Sequence, residues 1–549
     1  MNMRSVNRYP FGRVDVFVVF LLIMLVAVQF CRNNLYYPVE GDEFFTYFPV
    51  VSNNLVSMID NSNHINATPP VYFVLCYVWK VCFGDSITVL RSLTFFCFCG
   101  ASVSLYILMR SYFSVFSSMI STVLVFSSYI VVGQIHCMRF YGLYFLLSLF
   151  ATSYSVAQWK VNHKSTLAFN FKVFVCHFLL ISTHSIGLLY SGCLLLVCFI
   201  KTFTSEKKDG MRLVKSLARS LEFDKGMILA IGFSWLLFFL LWFKQVQKAG
   251  EWFDKSSSFL QKPGISDLVR EILVQKWIAI FFISLLILNL FLLIRNREIF
   301  SERLNRSFVV ILISITFVLL PKISVFVLSL VSHPSFLNRY FIPSLIGIAI
   351  LIAFMLDNIL YVCKGYFYVV IRNFNANAKC ISSYFVCFFA AIVLNFLVIG
   401  NESRKLLLDW SIKMVVPGSD IASYLESIDE YGEIPLVCQK WNYLQYYFYS
   451  VKPSRFYYLL RTRAAPSVGV LKQLEDYFEY LSHEDRVPCI LPEDKFLAMH
   501  REFFYLGGAD YLEDNTYFLR NEKFNVQIIR TEMTPSFGKG TVLLHVVVK

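Results

Sequence analysis

The chain has 549 residues, of which 57% are hydrophobic and only 16% charged, whereas a soluble protein of ordinary composition is nearer a quarter charged. Its apolar residues fall in blocks of roughly 17–22, the length an α-helix needs to cross about 30 Å of hydrocarbon, and this excludes an ordinary soluble enzyme. The net charge of +13 does not point to nucleic acid, because the basic residues are spread over short loops between apolar blocks rather than over one face or one tail.

In chain order, a basic start leads into an apolar run from Val14 to Phe30. That run is long for a signal-peptide core and no small-x-small site follows it, so an uncleaved first helix with a cytoplasmic N-terminus is expected. A polar loop over 32–68 comes next and holds "YYPVEGDEFFTYFPV", with Glu40, Asp42 and Glu43 set among aromatic residues. Apolar blocks follow near 69–84, 86–109, 112–132, 139–159, 168–185, 186–203, 227–243, 278–294, 307–330, 341–362 and 381–400. Lys160 and Lys164, the run from Lys201 to Lys225, Arg295 to Arg306, and Lys364 to Lys379 mark cytoplasmic loops.

Counting back from the 160s loop places "IHCMRFYG" (135–142) outside and the 109–112 turn inside. The first helix has then already delivered the chain outside, so block 69–84 has no crossing left to make. It is short, opens on two prolines and carries Lys80, which suits an interfacial or re-entrant helix. The resulting expectation is a polytopic α-helical membrane protein of about 11 crossings over 1–400, with the first outer loop at 32–68. A C-terminal extracytoplasmic domain takes up 401–549.

In that tail, strand-like runs ("EIPLVC", "VPCIL", "NVQIIRT", "TVLLHVVV") alternate with helix-like ones ("SDIASYLESIDEYG", "GVLKQLEDYFEYLS"), the pattern of a small α/β domain, such as a three-layer sandwich. Most of the 14 cysteines are in apolar blocks and read as small core residues. Only Cys438 and Cys489 lie in the tail, where a disulfide would form only in an oxidising compartment.

Five pieces of the first 200 residues stand in a particular order: "GDEFFTYFPV", "PPVYFVLCYVWKVCFGDS", "VLRSLTFFCFCGASVSLY", "IHCMRFYGLYFLLSLFA" and "ISTHSIGLLYSG". With "NRYFIP" at 338–343, this order resembles the GT-C glycosyltransferases of the protein O-mannosyltransferase and lipid A aminoarabinose transferase group (glycosyltransferase 39/83-like). The resemblance implies an integral-membrane transferase working on a polyprenyl-phosphate sugar, and it places the catalytic acid on Asp42, with Glu43 beside it. It carries the RxY element onto Arg139 and Tyr141 and the outer TH turn onto Thr183 and His184. Two departures bear on cofactors: Thr68 precedes the double proline where many members have His or Glu-Lys, and Cys137 stands where a Glu is common. A divalent metal would lack its usual ligands, and no cofactor is assigned.

The chemistry needs a base for the acceptor proton, which a carboxylate at a half-apolar interface supplies. It also needs positive charge at the leaving phosphate, for which the planar fork of arginine is suited. Asp42 and Glu43 are the catalytic candidates. Arg139 and Arg339 are the donor-phosphate candidates, with Tyr141, His184 and Tyr340 behind them and His333 nearby. Taken without the resemblance, the carboxylates read equally as a solvated turn, the arginines as headgroup anchors and His184 as an interhelical hydrogen-bonding residue. Asn66-Ala67-Thr68 is a glycosylation sequon against the interface.

The function expected is therefore inverting transfer of a sugar from a polyprenyl phosphate to an extracytoplasmic hydroxyl on a lipid, glycan or protein, in a bacterial inner (plasma) membrane. A transporter or flippase of lipid-linked saccharides is the alternative, but transporters concentrate ionisable residues near the midplane or carry inverted repeats, whereas the carboxylates here gather at one face. A polymerase of lipid-linked repeats shares the same chemistry.

Overall fold

The computed structural model describes residues 11–36, 39, 41–66, 68–160, 166–206, 225–252, 262–273, 276–295, 297–331, 336–370, 434–438, 443–444, 447, 453–460, 478–479, 489–508, 521–532 and 541–549. Glu40, His333, the apolar block 381–400, the helix-like run 419–432 and most of the run 469–482 lie outside them. The chain divides into two units: 1–33, 67–249 and 260–410 form one, and 34–66, 250–259 and 411–549 form the other.

The first unit is helical. Its first helix is α1 (Arg13–Tyr36), whose last residues pass into the second unit. The second unit supplies α2 (Gly41–Val50) and α3 (Leu55–Ile65). The first unit resumes with α4 (Val71–Phe83), α5 (Ile87–Arg110), α6 (Val115–Phe126), α7 (Tyr129–Gln134), α8 (Tyr141–Lys160), α9 (Leu167–Thr183) and α10 (Gly187–Glu206). It continues with α11 (Lys225–Trp252), α12 (Ile265–Leu273), α13 (Lys276–Arg295), α14 (Arg297–Val331), a 3-10 turn (Asn338–Phe341) and α15 (Ser344–Val370).

Among the described residues, five helices are long and apolar enough to cross a membrane, or six if the bent pair α12 and α13 is one span. Five shorter apolar helices accompany them. The chain is an integral membrane protein; the count of about 11 crossings is carried no further by these lengths. The expected 112–132 block breaks into α6 and α7 at Ser127 and Ser128, where the Ser128 hydroxyl donates to the Val125 carbonyl at 2.7 Å. Competition of this kind between a serine side chain and the helical ladder favours a helix end. With 13 residues, α4 is about 20 Å long, short of the hydrocarbon thickness.

Two ion-pair networks, one buried and one half-buried, bring one set of helix ends together. Asp15, near the start of α1, accepts from Arg110 Nε at 2.5 Å and from the Tyr106 hydroxyl at 2.6 Å at the end of α5. Asp357 of α15 pairs with Arg303 of α14 and accepts from the Ser114 amide at 3.0 Å. Arg110 also donates to the Phe113 carbonyl at 2.9 Å, so the 110–114 turn is clamped from both sides. The start of α1, the end of α5, the start of α6, the first third of α14 and the middle of α15 thus share one end of the unit.

Asp15 is 2% exposed, and removing one member of a buried ion pair leaves the other charge uncompensated. Asp15→Ala is expected to cost about 3–5 kcal/mol, read as a fall in thermal midpoint of the detergent-solubilised protein.

In the second unit, the strands are β1 (Leu436–Cys438), β2 (Phe456–Leu460), β3 (Ile490–Pro492), β4 (Glu502–Gly508), β5 (Phe524–Glu532) and β6 (Thr541–Val548), with α16 (Glu493–Met499) after β3. They form one six-stranded sheet in the order β3-β2-β1-β4-β6-β5. Neighbours among the first four strands are parallel, whereas β4 with β6 and β5 with β6 are antiparallel. Val437, Leu459, Phe503, Tyr505, Leu544 and Val546 bury one face of this sheet together with Phe496 of α16. Cys438 and Cys489 are both buried free thiols. Val437 is opposite Tyr457 and Tyr458 is opposite Ile490, so β2 stands between β1, which carries Cys438, and β3, which Cys489 immediately precedes, and the two thiols cannot bond as placed.

Candidate functional site

The carboxylates of the "GDEFF" stretch do not sit on an open turn. Asp42 and Glu43 occupy the first turn of α2, where unpaired backbone N–H groups favour negative charge. Glu43 is fully buried, as are Phe44 and Thr46, while Asp42 is partly exposed. The side chains of α2 and α3 are tied locally. Phe44 stacks on Phe48 with centroids 5.9 Å apart, the Asn61 amide donates to the Ser52 hydroxyl at 2.8 Å, and Asn54 caps α3 by accepting from the Ser57 amide at 2.8 Å. The sequon residue Asn66 is 5% exposed and donates to the Phe45 carbonyl at 3.0 Å, which occupies the amide that glycosylation would need.

The donor-phosphate candidates belong to the helical unit and gather at the end opposite the ion-pair networks. Arg139 is in the turn before α8, which is drawn against the start of α5: the Thr94 hydroxyl donates to the Arg139 carbonyl at 3.3 Å and also meets the Tyr72 hydroxyl of α4 at 3.1 Å. Gly142 permits this approach, since a Cβ there would fall 2.9 Å from the Thr94 carbonyl oxygen. The Arg139 guanidinium lies 5.3 Å from the centre of the Phe140 ring. Tyr141 is buried against Phe140, with centroids 4.5 Å apart.

His184 follows α9 in the "THS" turn and is 5% exposed. Its ring is enclosed by Phe140 at 4.8 Å, Tyr144 at 5.5 Å and Tyr340 at 4.9 Å between centroids. Burial foremost, and then the positive charge of Arg139 and Arg339, pushes the imidazole down to about 3, so it is neutral at physiological pH. Both arginines therefore act on one histidine, and Tyr340 from the 3-10 turn touches it. The 3-10 turn is held in place by Asn338, whose amide donates to the Tyr129 hydroxyl at 3.3 Å. Immediately after it, Ser344 donates to the Phe317 carbonyl at 2.7 Å and bonds Tyr190 at 2.8 Å.

The structure thus joins Arg139, His184, Arg339 and Tyr340, with Tyr141 alongside, and separately places Asp42 next to Glu43 in the other unit. Sequence reasoning missed the residues that hold the histidine, namely Phe140, Tyr144 and Ile186. Tyr144 was detectable in principle, because it follows Tyr141 at the i, i+3 spacing of one helix face. Among the described residues, no three or more His, Cys, Asp or Glu side chains stand together to hold a metal ion.

No protein-family model matches the sequence, and no curated protein matches it. Solved structures do. ArnT from Cupriavidus metallidurans in the apo state is similar over 97% of this chain and 98% of its own, at 13% identity and a TM-score of 0.52. The archaeal oligosaccharyltransferase AglB from Archaeoglobus fulgidus, in complex with an inhibitory peptide and a dolichol-phosphate, is similar over 96% of this chain and 74% of its own, at 9% identity and a TM-score of 0.50. The fold is similar to that of GT-C glycosyltransferases, as the order of sequence motifs implies.

Proposed function

We propose that the protein is an inverting glycosyltransferase that moves a sugar from a polyprenyl phosphate to a hydroxyl on the extracytoplasmic side of a membrane. The observation that carries this reading is the convergence of Arg139, His184, Arg339 and Tyr340 at one end of a helical unit, within a fold similar to two transferases, one of which was captured with a dolichol-phosphate. Two guanidiniums beside a neutral imidazole and a tyrosine suit a phosphate whose negative charge grows as the sugar leaves. In this reading Asp42 takes the proton of the acceptor hydroxyl as the new bond forms. The electron pair of the broken C–O bond stays on the phosphate, and Arg139 and Arg339 hold it there. Glu43, being fully buried, orders the turn that carries Asp42. The acceptor is a lipid, a glycan or a protein hydroxyl, and the membrane is a bacterial inner membrane with the N-terminus in the cytoplasm.

Incubating the purified protein with a panel of polyprenyl-phosphate sugars and measuring which one is consumed tests the reaction. Consumption of none of them, with the protein folded, counts against a transferase and favours a carrier of lipid-linked saccharides.

Topology is tested by labelling. Ile528→Cys, at a position 56% exposed, and Tyr361→Cys, at one 54% exposed, are each labelled with an impermeant thiol reagent and compared with the unsubstituted chain. The first is expected to react in intact cells and the second only after the membrane is opened. The reverse pattern sinks the outer active site.

A further inference from the structure

The neutral state of His184 raises the question of which nitrogen holds its proton and what that proton does. The backbone amide of Ile186 donates to His184 Nδ1 at 3.2 Å. An amide N–H can only donate, so Nδ1 must be the lone-pair nitrogen and the proton must reside on Nε2. The turn enforces this arrangement. The Gly187 amide donates to the His184 carbonyl at 2.8 Å, and a Cβ on Gly187 would come within 2.7 Å of the Leu180 carbonyl oxygen, so only glycine lets the chain double back tightly enough to aim the Ile186 amide at the ring.

The ring is held on its other sides by Phe140, Tyr144 and Tyr340. The charged groups acting on it are Arg139, from the turn before α8, and Arg339, from the 3-10 turn, both positive. Among the described residues, Nε2 has no hydrogen-bond partner. An unpartnered N–H donor on a ring that feels the positive charge of two guanidiniums has an obvious complement in an oxyanion, and an imidazole fixed in this state has no lone pair on Nε2 with which to act as a base.

We infer that His184 is a catalytic residue of a particular kind: its Nε2–H donates a neutral hydrogen bond to the phosphate of the lipid donor, with Ile186 fixing the tautomer and Tyr144 acting as a positioning residue through the ring. This rests on the reading of the protein as a polyprenyl-phosphate sugar transferase. The neutral donor adds a directed hydrogen bond to the two arginines without adding a third positive charge, so the phosphate is held and then released without further electrostatic cost to product departure.

The test uses the full chain in lipid nanodiscs with 15N-labelled histidine, and undecaprenyl phosphate and undecaprenol as probes. Long-range proton–nitrogen correlation separates the two neutral tautomers and the imidazolium, and loss of signals in His184→Gln assigns the resonance. The Nε2–H tautomer is expected from pH 6 to 8 (a range of roughly the histidine titration), shifting on addition of undecaprenyl phosphate but not undecaprenol. Affinity for undecaprenyl phosphate is expected to weaken about 10- to 100-fold in His184→Ala, as for loss of a hydrogen bond to a charged group. Most of it returns in His184→Gln, which keeps a neutral N–H donor. An Nδ1–H or imidazolium signal at the resonance assigned to His184 overturns the inference, whatever the affinities of the variants. Undecaprenyl phosphate that binds without moving the His184 resonance overturns it while leaving the transferase reading intact. If the wild-type protein binds undecaprenyl phosphate no better than undecaprenol, both fall.

Discussion

Asp42→Asn is expected to lower turnover by about 10²–10⁴-fold, the range for loss of a general base, while binding of the lipid donor is largely kept. The substitution preserves shape and hydrogen-bonding reach and removes only the basic carboxylate. Asp42 and not Glu43 is expected to be the base because Asp42 is partly exposed in the first turn of α2, while Glu43 is sealed among Phe44, Thr46 and their neighbours. At the bilayer centre an aspartate costs roughly 2.5–3.5 kcal/mol on insertion scales, a cost that a carboxylate outside the hydrocarbon avoids. Glu43→Gln is expected to fall less in turnover and more in stability, since its group is buried and engaged. Measuring single-turnover rates and thermal midpoints for both variants separates the cases. Normal rates with Asp42→Asn and none with Glu43→Gln exchange the roles, and normal rates in both remove the doublet from the mechanism.

The membrane character, most helix positions and the grouping of the phosphate candidates were legible in the sequence because each rests on a local pattern. Apolar runs flanked by basic loops announce helices, and Arg139, His184 and Arg339 each follow an apolar block at the same side of the alternation. Legibility failed where structure depends on partners distant in sequence. The break after Phe126 falls where Ser128 returns a hydrogen bond to the Val125 carbonyl of the preceding helix. Strands β2, "FYYLL", and β4, "EFFYLGG", escaped notice because strands flanked on both sides by others read as continuous apolar and aromatic runs without alternation. Lys322 also escaped: it lies in the apolar stretch of α14 and is 1% exposed, yet its ammonium donates to the Glu271 carbonyl near the end of α12 at 2.6 Å, a C-terminal cap that no sequence window reveals. The same holds for the Ile186 amide, since a backbone donor carries no residue signature.

Arg139→Lys is the second substitution with a large expected effect, and it distinguishes charge from geometry. A lysine at this position retains the positive charge that would anchor a helix end among lipid headgroups, so an anchoring role predicts nearly unchanged activity. A role at the leaving phosphate predicts otherwise. The guanidinium presents two parallel N–H groups to two phosphate oxygens, whereas an ammonium is a point charge that cannot reproduce the fork. Loss of one preorganised donor to a developing oxyanion typically costs about 10²–10³-fold in turnover, and Arg139→Lys is expected to approach that loss while Arg139→Ala reaches or exceeds it, with expression of both maintained. Arg139 and Arg339 act on the same imidazole, so in the phosphate role they address one anion. Their effects are then expected to be non-additive, the double substitution Arg139→Lys with Arg339→Lys losing less than the product of the two single losses. Strict multiplication of the losses would place the arginines on separate steps. Wild-type turnover in Arg139→Lys would reduce Arg139 to a headgroup anchor and leave Arg339 with His184 to hold the phosphate.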